Sequence, residues 1–244
     1  MDIWGVTDSG KVRRQNQDVF RTLFDVDKNV AVLVVCDGMG GARSGNVASA
    51  LAAESFMRYM GRYIEYVGEQ SDIAMKMADA VIEANNDVYE KSLSDGIYEG
   101  MGTTLTAVIS TEKGEVVVNI GDSRLYHITS SFIKQVTTDH TVVEDMVTRG
   151  DLTRTEARRH PKKNLITRAL GTNLNEEPDV FFLNLAEGDH LLLCSDGLSN
   201  IVMESEILFE LQHSEGVRES SIKLVDMALS RGAPDNVTAV LFKK

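Results

Sequence analysis

The sequence predicts an α+β fold in which two largely antiparallel β-sheets pack as a sandwich with helices on both outer sides. Three observations support this prediction. Short apolar runs typical of strands occur in both halves of the chain, two long helical segments interrupt them, and strands and helices do not alternate regularly. The chain has 244 residues and 43% hydrophobic content, so we expect one domain with a substantial core over residues 1–244.

The first part of the chain contains three predicted strands followed by a pair of helices. The strand-like runs lie at 3–6, 18–23 and 30–36. Apolar residues then recur twice at helical spacing, and we expect each helix to bury one face against a sheet. We favour this core role for their methionines over an adaptable binding surface. The two sets are Val47, Leu51, Phe56, Tyr59, Met60, Tyr63, Ile64 and Val67, and Ile73, Met77, Val81, Ala84 and Val88.

The second part of the chain returns to strands. Runs at 103–110, 116–120, 124–128 and 132–136, with a hairpin turn at Lys113-Gly114, predict an antiparallel meander. A polar, helix-forming section at 141–168 separates them from strands near 179–185 and 190–194. Two short helices near 206–211 and 217–229 precede a last strand at 237–242. The polar section is therefore an insertion between strands.

Composition excludes several classes of function. A formal charge of -12 argues against binding to DNA or RNA, because affinity for phosphate backbones comes from Lys and Arg. No apolar run approaches the roughly 18 residues of a membrane span, and the N-terminal residues lack the pattern of a signal peptide. The two cysteines lie in strand-like runs, as expected of buried hydrophobic residues in a reducing compartment. We therefore expect a soluble, cytoplasmic protein.

Four aspartates at the ends of predicted strands indicate a metal site. Asp37, Asp122 and Asp196 follow apolar runs, and Asp235 precedes the last one. Carboxylates at strand ends can converge at one edge of a sheet, and oxygen ligands without His or Cys suit Mg²⁺, Mn²⁺ or Ca²⁺. A single Asp-Gly pair could simply form a turn. Four such aspartates together favour the metal site.

Further motifs occur in a fixed order along the whole chain. They are Arg13 with Asp18, Asp37-Gly38-Met39-Gly40-Gly41, Gly102-Thr103-Thr104, Gly121-Asp122-Ser123-Arg124, Ser195-Asp196-Gly197 and Asp235-Asn236-Val237-Thr238. In that order they resemble the PPM family of metal-dependent serine/threonine protein phosphatases, the protein phosphatase 2C type, and especially its compact bacterial members. The section at about 139–171 is similar to the family's variable flap beside the active site.

The resemblance implies a role for each matching residue. Two bridged ions, Mn²⁺ or Mg²⁺, would be held by Asp37, the carbonyl of Gly38, Asp196 and Asp235. Asp122 with Asp196 would hold a weaker third ion, although Asp122 could instead cap the turn into Arg124. Asp18 would contact metal-bound water. The guanidinium of Arg13, five residues before Asp18, would bind two phosphate oxygens, and Arg14 would face solvent.

The activity that the resemblance implies is hydrolysis of phosphoserine and phosphothreonine in proteins, by a metal-bridging hydroxide that attacks the phosphoryl group. Its partners would be phosphorylated proteins and a serine/threonine kinase whose action it reverses, and a monomer is expected. The alternative is a phosphoprotein-binding regulatory module with weak activity. A metal-dependent nuclease would also use carboxylates, but the acidic charge argues against it.

Two departures from the family pattern motivate the alternative. Bacterial members commonly carry His, a candidate general acid, where this chain has Ala42, and Gln17 replaces one carboxylate of an acidic pair. A metal-bound water or, less favoured, His140 would then protonate the leaving oxygen. Metal affinity could also be lower.

The charge of the insertion differs from that of the rest of the chain. Residues 149–168 contain five Arg and two Lys against two acidic residues, a formal charge of +5. Two interpretations remain open at this point. The basic residues could form a solvated helix face, or they could dock an acidic, phosphorylated segment beside the metal site.

Overall fold

The computed structural model describes residues 1–64 and 68–244, without the side chains of residues 41–43. Predicted helix residue Val67 lies outside the described residues. The strands in the described part are β1 (Asp2–Asp8), β2 (Asp18–Asp25), β3 (Val30–Met39), β4 (Gly102–Thr103), β5 (Leu105–Thr111), β6 (Gly114–Ile120), β7 (Arg124–Ile128), β8 (Ile133–Gln135), β9 (Asp179–Leu183), β10 (His190–Cys194) and β11 (Val237–Lys243). The α-helices are α1 (Gly41–Tyr63), α2 (Gln70–Ser94), α3 (Val142–Thr148), α4 (Arg154–Ala157), α5 (Asp196–Ser199), α6 (Glu204–His213) and α7 (Val217–Ser230).

These strands form two antiparallel sheets, as predicted. The first sheet has the order β1-β11-β10-β7-β8, and the second has the order β2-β3-β5-β6-β9, with the short β4 beside the end of β3. Helices α1 and α2 pack on the outer side of the second sheet, and α7 packs on the outer side of the first. The resulting layers are helix, sheet, sheet, helix.

Strand β3 shows why the predicted strands appear as continuous apolar runs. Successive side chains of a strand point to opposite faces, and both faces of β3 are covered. One face contacts the other sheet, and the opposite face contacts α1 and α2. The residues facing the other sheet are Ala31, Leu33 and Val35, and those facing the helices are Val32, Val34 and Cys36, all buried.

The predicted core role is confirmed for Met60 and Met77 but is wrong for Met75 of α2, which is 58% exposed. Met60 and Met77 are 2% and 0% exposed and belong to the cluster between the second sheet and its helices. Both cysteines are buried and free, and burial raises the pKa of the thiols of Cys36 and Cys194 well above its ordinary value. They are therefore packing residues with little thiolate character.

The predicted single meander is wrong. Strands β5 and β6 form a hairpin in the second sheet, whereas β7 and β8 form one in the first. The chain crosses between the sheets at residues 121–123, where Gly121 has a φ of 103°. A Cβ at this glycine would lie 2.5 Å from the Cγ2 of Thr104. Local alternation of apolar residues predicts strands, but it does not indicate which sheet each strand joins.

The insertion contains less helix than its composition predicts. Only α3 and α4 form, and the rest of residues 141–168 consists of turns and irregular backbone with one isolated bridge, between Thr141 and Ile166. Thr153 and Glu156 form a capping box at α4. Along the described residues, no helix has both the length and the apolar character needed to cross a lipid bilayer.

Candidate active site

Asp18 and Asp37 face each other across two strands of the second sheet. The antiparallel register of β2 and β3 places them directly opposite. Strand β3 does not end before Asp37, as the apolar run predicted, because two further residues pair with β4. Asp37 therefore lies inside a paired strand, which holds its backbone more rigidly than a loop would.

Asp196 and Asp235 come from adjacent strand ends of the first sheet. Asp196 opens α5 directly after β10, and Asp235 lies just before β11, the neighbour of β10. A backbone hydrogen bond of 3.2 Å from Ser195 N–H to Thr238 O joins these ends. Aspartates that are far apart in the sequence are thus brought to one edge of the sandwich.

Two hydroxyl groups of the first sheet hold Asp18 of the second sheet. Its Oδ2 accepts hydrogen bonds of 2.6 Å from Ser195 Oγ and 2.7 Å from Thr238 Oγ1. Its Oδ1 is buried and has no hydrogen-bond partner among the described residues. Burial raises the pKa of Asp18 to about 6, although both hydroxyls oppose the rise. A buried carboxylate oxygen of this kind requires a ligand or water as its partner.

The backbone around Asp37 is fixed from two sides. Its N–H donates to Thr104 Oγ1 at 2.9 Å, and its carbonyl accepts from Thr103 Oγ1 and Thr104 N–H, both at 2.9 Å. On the other side α1 approaches closely, because a Cβ on Gly38 would lie 2.0 Å from the carbonyl oxygen of Gly45. Glycine is thus required at position 38 by the packing of the helix against the strand.

Asp122 lies in the turn that crosses between the sheets and is 7% exposed. Burial raises the pKa of Asp37 and of Asp122 well above its ordinary value, and repulsion from other aspartates of this edge raises each further. Burial and repulsion from Asp235 and Asp18 likewise raise the pKa of Asp196 to about 7. Mutual repulsion at this edge is the property that a cation would relieve.

The protein phosphatase 2C family model matches residues 11–241 of this chain. The chain belongs to the protein phosphatase 2C family. The serine/threonine phosphatase stp of Listeria monocytogenes is 34% identical over 238 residues, which cover 98% of this chain and 94% of the relative. The predicted family membership is thereby confirmed.

Solved structures of protein phosphatases support the same assignment. Stp1 from Staphylococcus aureus superposes with a TM-score of 0.91 at 34% identity and covers 100% of this chain and 94% of its own. The catalytic domain of PstP in complex with two manganese ions superposes with a TM-score of 0.83 at 35% identity, covering 98% and 96%. These similarities confirm the sandwich fold of a protein phosphatase 2C.

The donor chemistry of this edge fits divalent metal ions, on which protein phosphatase 2C enzymes depend. All candidate side-chain ligands are carboxylates, and one buried carboxylate oxygen, on Asp18, has no hydrogen-bond partner in the described part of the chain. Within residues 1–64 and 68–244, no three Asp, Glu, His or Cys side chains form a tight cluster. Coulombic repulsion extends further than the spacing of ligands around one ion, so the carboxylates raise each other's pKa without such a cluster.

Arg13 and Asn200 each hold one carboxylate of this edge. Arg13 Nη2 lies 2.8 Å from Asp235 Oδ2, and Asn200 Nδ2 donates to Asp196 Oδ2 at 3.0 Å. Arg13 lies in a loop, so strand alternation does not select it over Arg14. The ion pair nevertheless places Arg13, with its side chain 53% exposed, at the candidate active site. Arg14 is exposed, as predicted.

His140 has a structural environment. The ring Nδ1 of His140 accepts a hydrogen bond of 3.1 Å from the backbone N–H of Gly121, and the backbone N–H of His140 donates to Gly121 O at 3.0 Å. With Nδ1 as the acceptor, the ring proton lies on Nε2, which is 3.2 Å from Asp179 Oδ2. His140 is 7% exposed, and burial lowers its pKa. It therefore fixes the turn that carries Asp122, and both of its nitrogens are used within the protein.

Several residues that shape this site were not assigned roles from the sequence. Asn200 had a local signal, because it lies four residues after Asp196. Ser195 and Thr238 belong to the quoted motifs, but no local pattern links them to Asp18, since they lie 177 and 220 residues from it. Asn236 likewise accepts from Gln17 N–H and donates to two carbonyls of the loop around Arg13, each at 2.9 Å.

We expect the metal-free protein to lose stability as pH rises, and Mn²⁺ to oppose this loss. Folding raises the pKa of Asp18 to about 6 and of Asp196 to about 7, from an ordinary value of 3.8. From the ordinary pKa of 3.8 up to the raised values of about 6 and about 7, these two carboxyl groups bind more protons in the folded state than in the unfolded state. The free energy of unfolding therefore falls as pH rises through this range. Thermal melts between about pH 5 and about pH 8, in EDTA and in Mn²⁺, measure the effect.

His140 acts in the opposite direction, because its pKa is lowered by folding and the unfolded state binds more protons there. The informative quantity is therefore the melting temperature in Mn²⁺ minus that in EDTA at each pH. This difference should grow with pH. A difference that is constant across the range would contradict the prediction.

Proposed function

We propose that this protein hydrolyses phosphoserine and phosphothreonine in proteins and that its metal ions are held by the aspartates at the shared edge of the two sheets. The observation that carries the proposal is the convergence of carboxylates from both sheets beside an exposed arginine. Family membership and relatives named as serine/threonine phosphatases support it. The alternative of a binding module with weak turnover is not favoured, because the predicted aspartates are all present.

The proposed ligands follow from the family motif and from the position of each residue. Asp37, the Gly38 carbonyl, Asp196 and Asp235 would hold two ions, Mn²⁺ or Mg²⁺, and Asp122 with Asp196 would hold a weaker third. When bound, the ions supply Lewis-acid activation of water and neutralise charge on the phosphoryl oxygens.

The protein's own groups position the substrate and the attacking water. Arg13 would exchange its contact with Asp235 for two phosphoryl oxygens, since its guanidinium is planar, always charged and half-exposed. Asp18 Oδ2 is fixed by Ser195 and Thr238, which leaves Oδ1 to accept a hydrogen bond from water. In-line attack then requires little further covalent chemistry from the protein.

Phosphate release from a phosphothreonine peptide, with Mn²⁺, with Mg²⁺ and with EDTA, tests this function. Release that requires a divalent ion supports it, whereas peptide binding without release would favour the binding module. A kinase partner, a cytoplasmic location, a monomeric state and a single catalytic domain over residues 1–244 stay predictions of the sequence.

Replacing Ala42 by His is expected to raise turnover of a phosphothreonine peptide more than turnover of an aryl phosphate. Both ring nitrogens of His140 are hydrogen-bonded to other groups of the protein, so His140 is not free to act as the proton donor. A side-chain proton donor at position 42 should therefore assist departure of a poor alkoxide leaving group. An aryl oxide leaves without such assistance. The measurement is kcat for both substrates, with Ala42→Gln as the polar control. Equal increases for the two substrates would contradict the prediction.

A further inference from the structure

A cavity of about 510 Å³ lies between the insertion and the first sheet. Asp122 and Asp196 form part of its wall, so the cavity continues from the candidate active site. Arg158 and Lys163 line it from the insertion. Its volume is typical of ligand sites and exceeds the needs of a phosphoryl group. A peptide whose phosphorylated residue lies at the aspartates could therefore place a neighbouring side chain in this cavity.

Several charges in the wall are neutralised within the wall itself. Arg124 Nη2 lies 2.6 Å from Asp139 Oδ2, and Arg154 Nη1 lies 2.9 Å from Glu144 Oε2. The first pair joins the loop that carries Asp139 to β7, and the second joins α3 to α4 within the insertion. They are structural contacts and leave no charge for a ligand.

When the two active-site aspartates are set aside, most of the remaining wall charges are positive. Lys134, Arg158 and Lys163 have no ion-pair partner among the described residues, and Lys163 Nζ lies 3.4 Å from the neutral Asn200 Oδ1. Apart from the two active-site aspartates, Glu204 is the acidic wall residue without such a partner in that part of the chain. A cation without a partner, beside a site for an anionic substrate, favours a second anionic group on that substrate.

We propose that Arg158, assisted by Lys163, binds a carboxylate side chain close to the phosphorylated residue of the substrate. The substrate class is then phosphothreonine and phosphoserine in acidic sequence. This inference rests on the proposed function and resolves the two interpretations of the basic insertion. Of the cations in the insertion, Arg154 is paired with Glu144, and Arg168 is paired with Asp179 at 2.8 Å. Arg158 lines the cavity without an ion-pair partner among the described residues.

The chain offers a matched control for this proposal. Arg159 is adjacent to Arg158, equally charged, exposed and without an ion pair among the described residues, but it does not line the cavity. Arg158→Gln and Arg159→Gln therefore change the net charge equally. Only the first removes a cavity cation.

The experiment measures kcat/KM for phosphothreonine peptides that carry one Glu, or Gln or Lys in its place, at each of three positions on either side of phosphothreonine. We expect the native protein to favour Glu about two- to fivefold at one or two positions, the range of a partly exposed ion pair. Arg158→Gln should bring this ratio close to 1, and Arg159→Gln should leave it unchanged. Arg158→Glu should instead favour Lys at the same position, a gain that misfolding does not produce.

A ratio close to 1 at every position in the native protein would overturn the proposal. A Glu preference that survives Arg158→Gln would also overturn it. An equal loss of the Glu preference in Arg159→Gln would do the same, because it would indicate a general electrostatic effect of the insertion's positive charge. Failure of the proposed function is distinguishable, because the native protein would then release no phosphate from any peptide or from an aryl phosphate in Mn²⁺.

Discussion

Replacing Asp196 by Asn is expected to abolish metal-dependent phosphate release, with kcat/KM for a phosphothreonine peptide falling at least about 10³-fold, or roughly 4 kcal/mol. Asp196 is proposed to bind the bridged ions and the weaker third ion, so one substitution would remove a charged ligand from both positions. Asn keeps the size of the side chain but is a weaker ligand for hard cations. The measurement is initial rate against Mn²⁺ concentration.

The loss should not come from unfolding. Because the pKa of Asp196 is raised to about 7, its charged form is unfavourable in the metal-free fold, and an amide avoids this cost. Metal-free Asp196→Asn should therefore melt at the same temperature as the native protein or above it. Asp226→Asn, at an exposed position of α7 without an ion pair among the described residues, is the matched control and should keep full activity.

Two outcomes would change the interpretation. Release by Asp196→Asn within tenfold of the native rate, an order-of-magnitude threshold, would exclude Asp196 as an essential ligand. Absence of release by the native protein, with Mn²⁺ and peptide still bound, would move the function to a phosphoprotein-binding module and make the replacement of the usual His by Ala42 decisive.

Replacing Gly38 by Ala is expected to destabilise the fold by about 3 kcal/mol or more and to weaken Mn²⁺ binding. The added Cβ would lie 2.0 Å from the carbonyl oxygen of Gly45, which is a backbone atom and cannot rotate away as a side chain could. Neither β3 nor α1 can shift freely, because β3 is paired on both sides and α1 packs over it. Any shift would also move the Gly38 carbonyl, a proposed ligand. Urea unfolding and a Mn²⁺ titration measure the two effects.

Gly61→Ala is the control for this substitution. Gly61 lies in α1, the helix whose Gly45 approaches Gly38, and an added Cβ at Gly61 would contact nothing within 4 Å. Ala has the higher helix propensity, so this variant should gain about 0.5–1 kcal/mol. Gly38→Ala with a free energy of unfolding within about 1 kcal/mol of the native protein would show that the helix can move away from the strand.

Hydrophobic periodicity accounts for the elements that were predicted correctly. Each predicted strand has a counterpart in one of the sheets, and the two long helices correspond to α1 and α2. Period-two and 3.6-residue patterns are local properties, so they can be detected from a few neighbouring residues. The motif aspartates were predicted in the same way, because each lies beside an apolar run, and their oxygen chemistry follows from residue type.

Contacts between distant segments account for the rest. The strands flanking Gly121 have similar patterns but join different sheets, and a β-pairing partner for residues beyond Cys36 extends β3 past Asp37. The hydroxyls that hold Asp18 come from the opposite sheet. Arg158 and Arg159 are indistinguishable by residue type, and only the packing of the insertion against the first sheet places one of them in the cavity. Residue pattern thus specifies the strands, helices and ligand chemistry, whereas the burial of two sheets against each other specifies which of these groups meet, because that packing is a property of the whole chain.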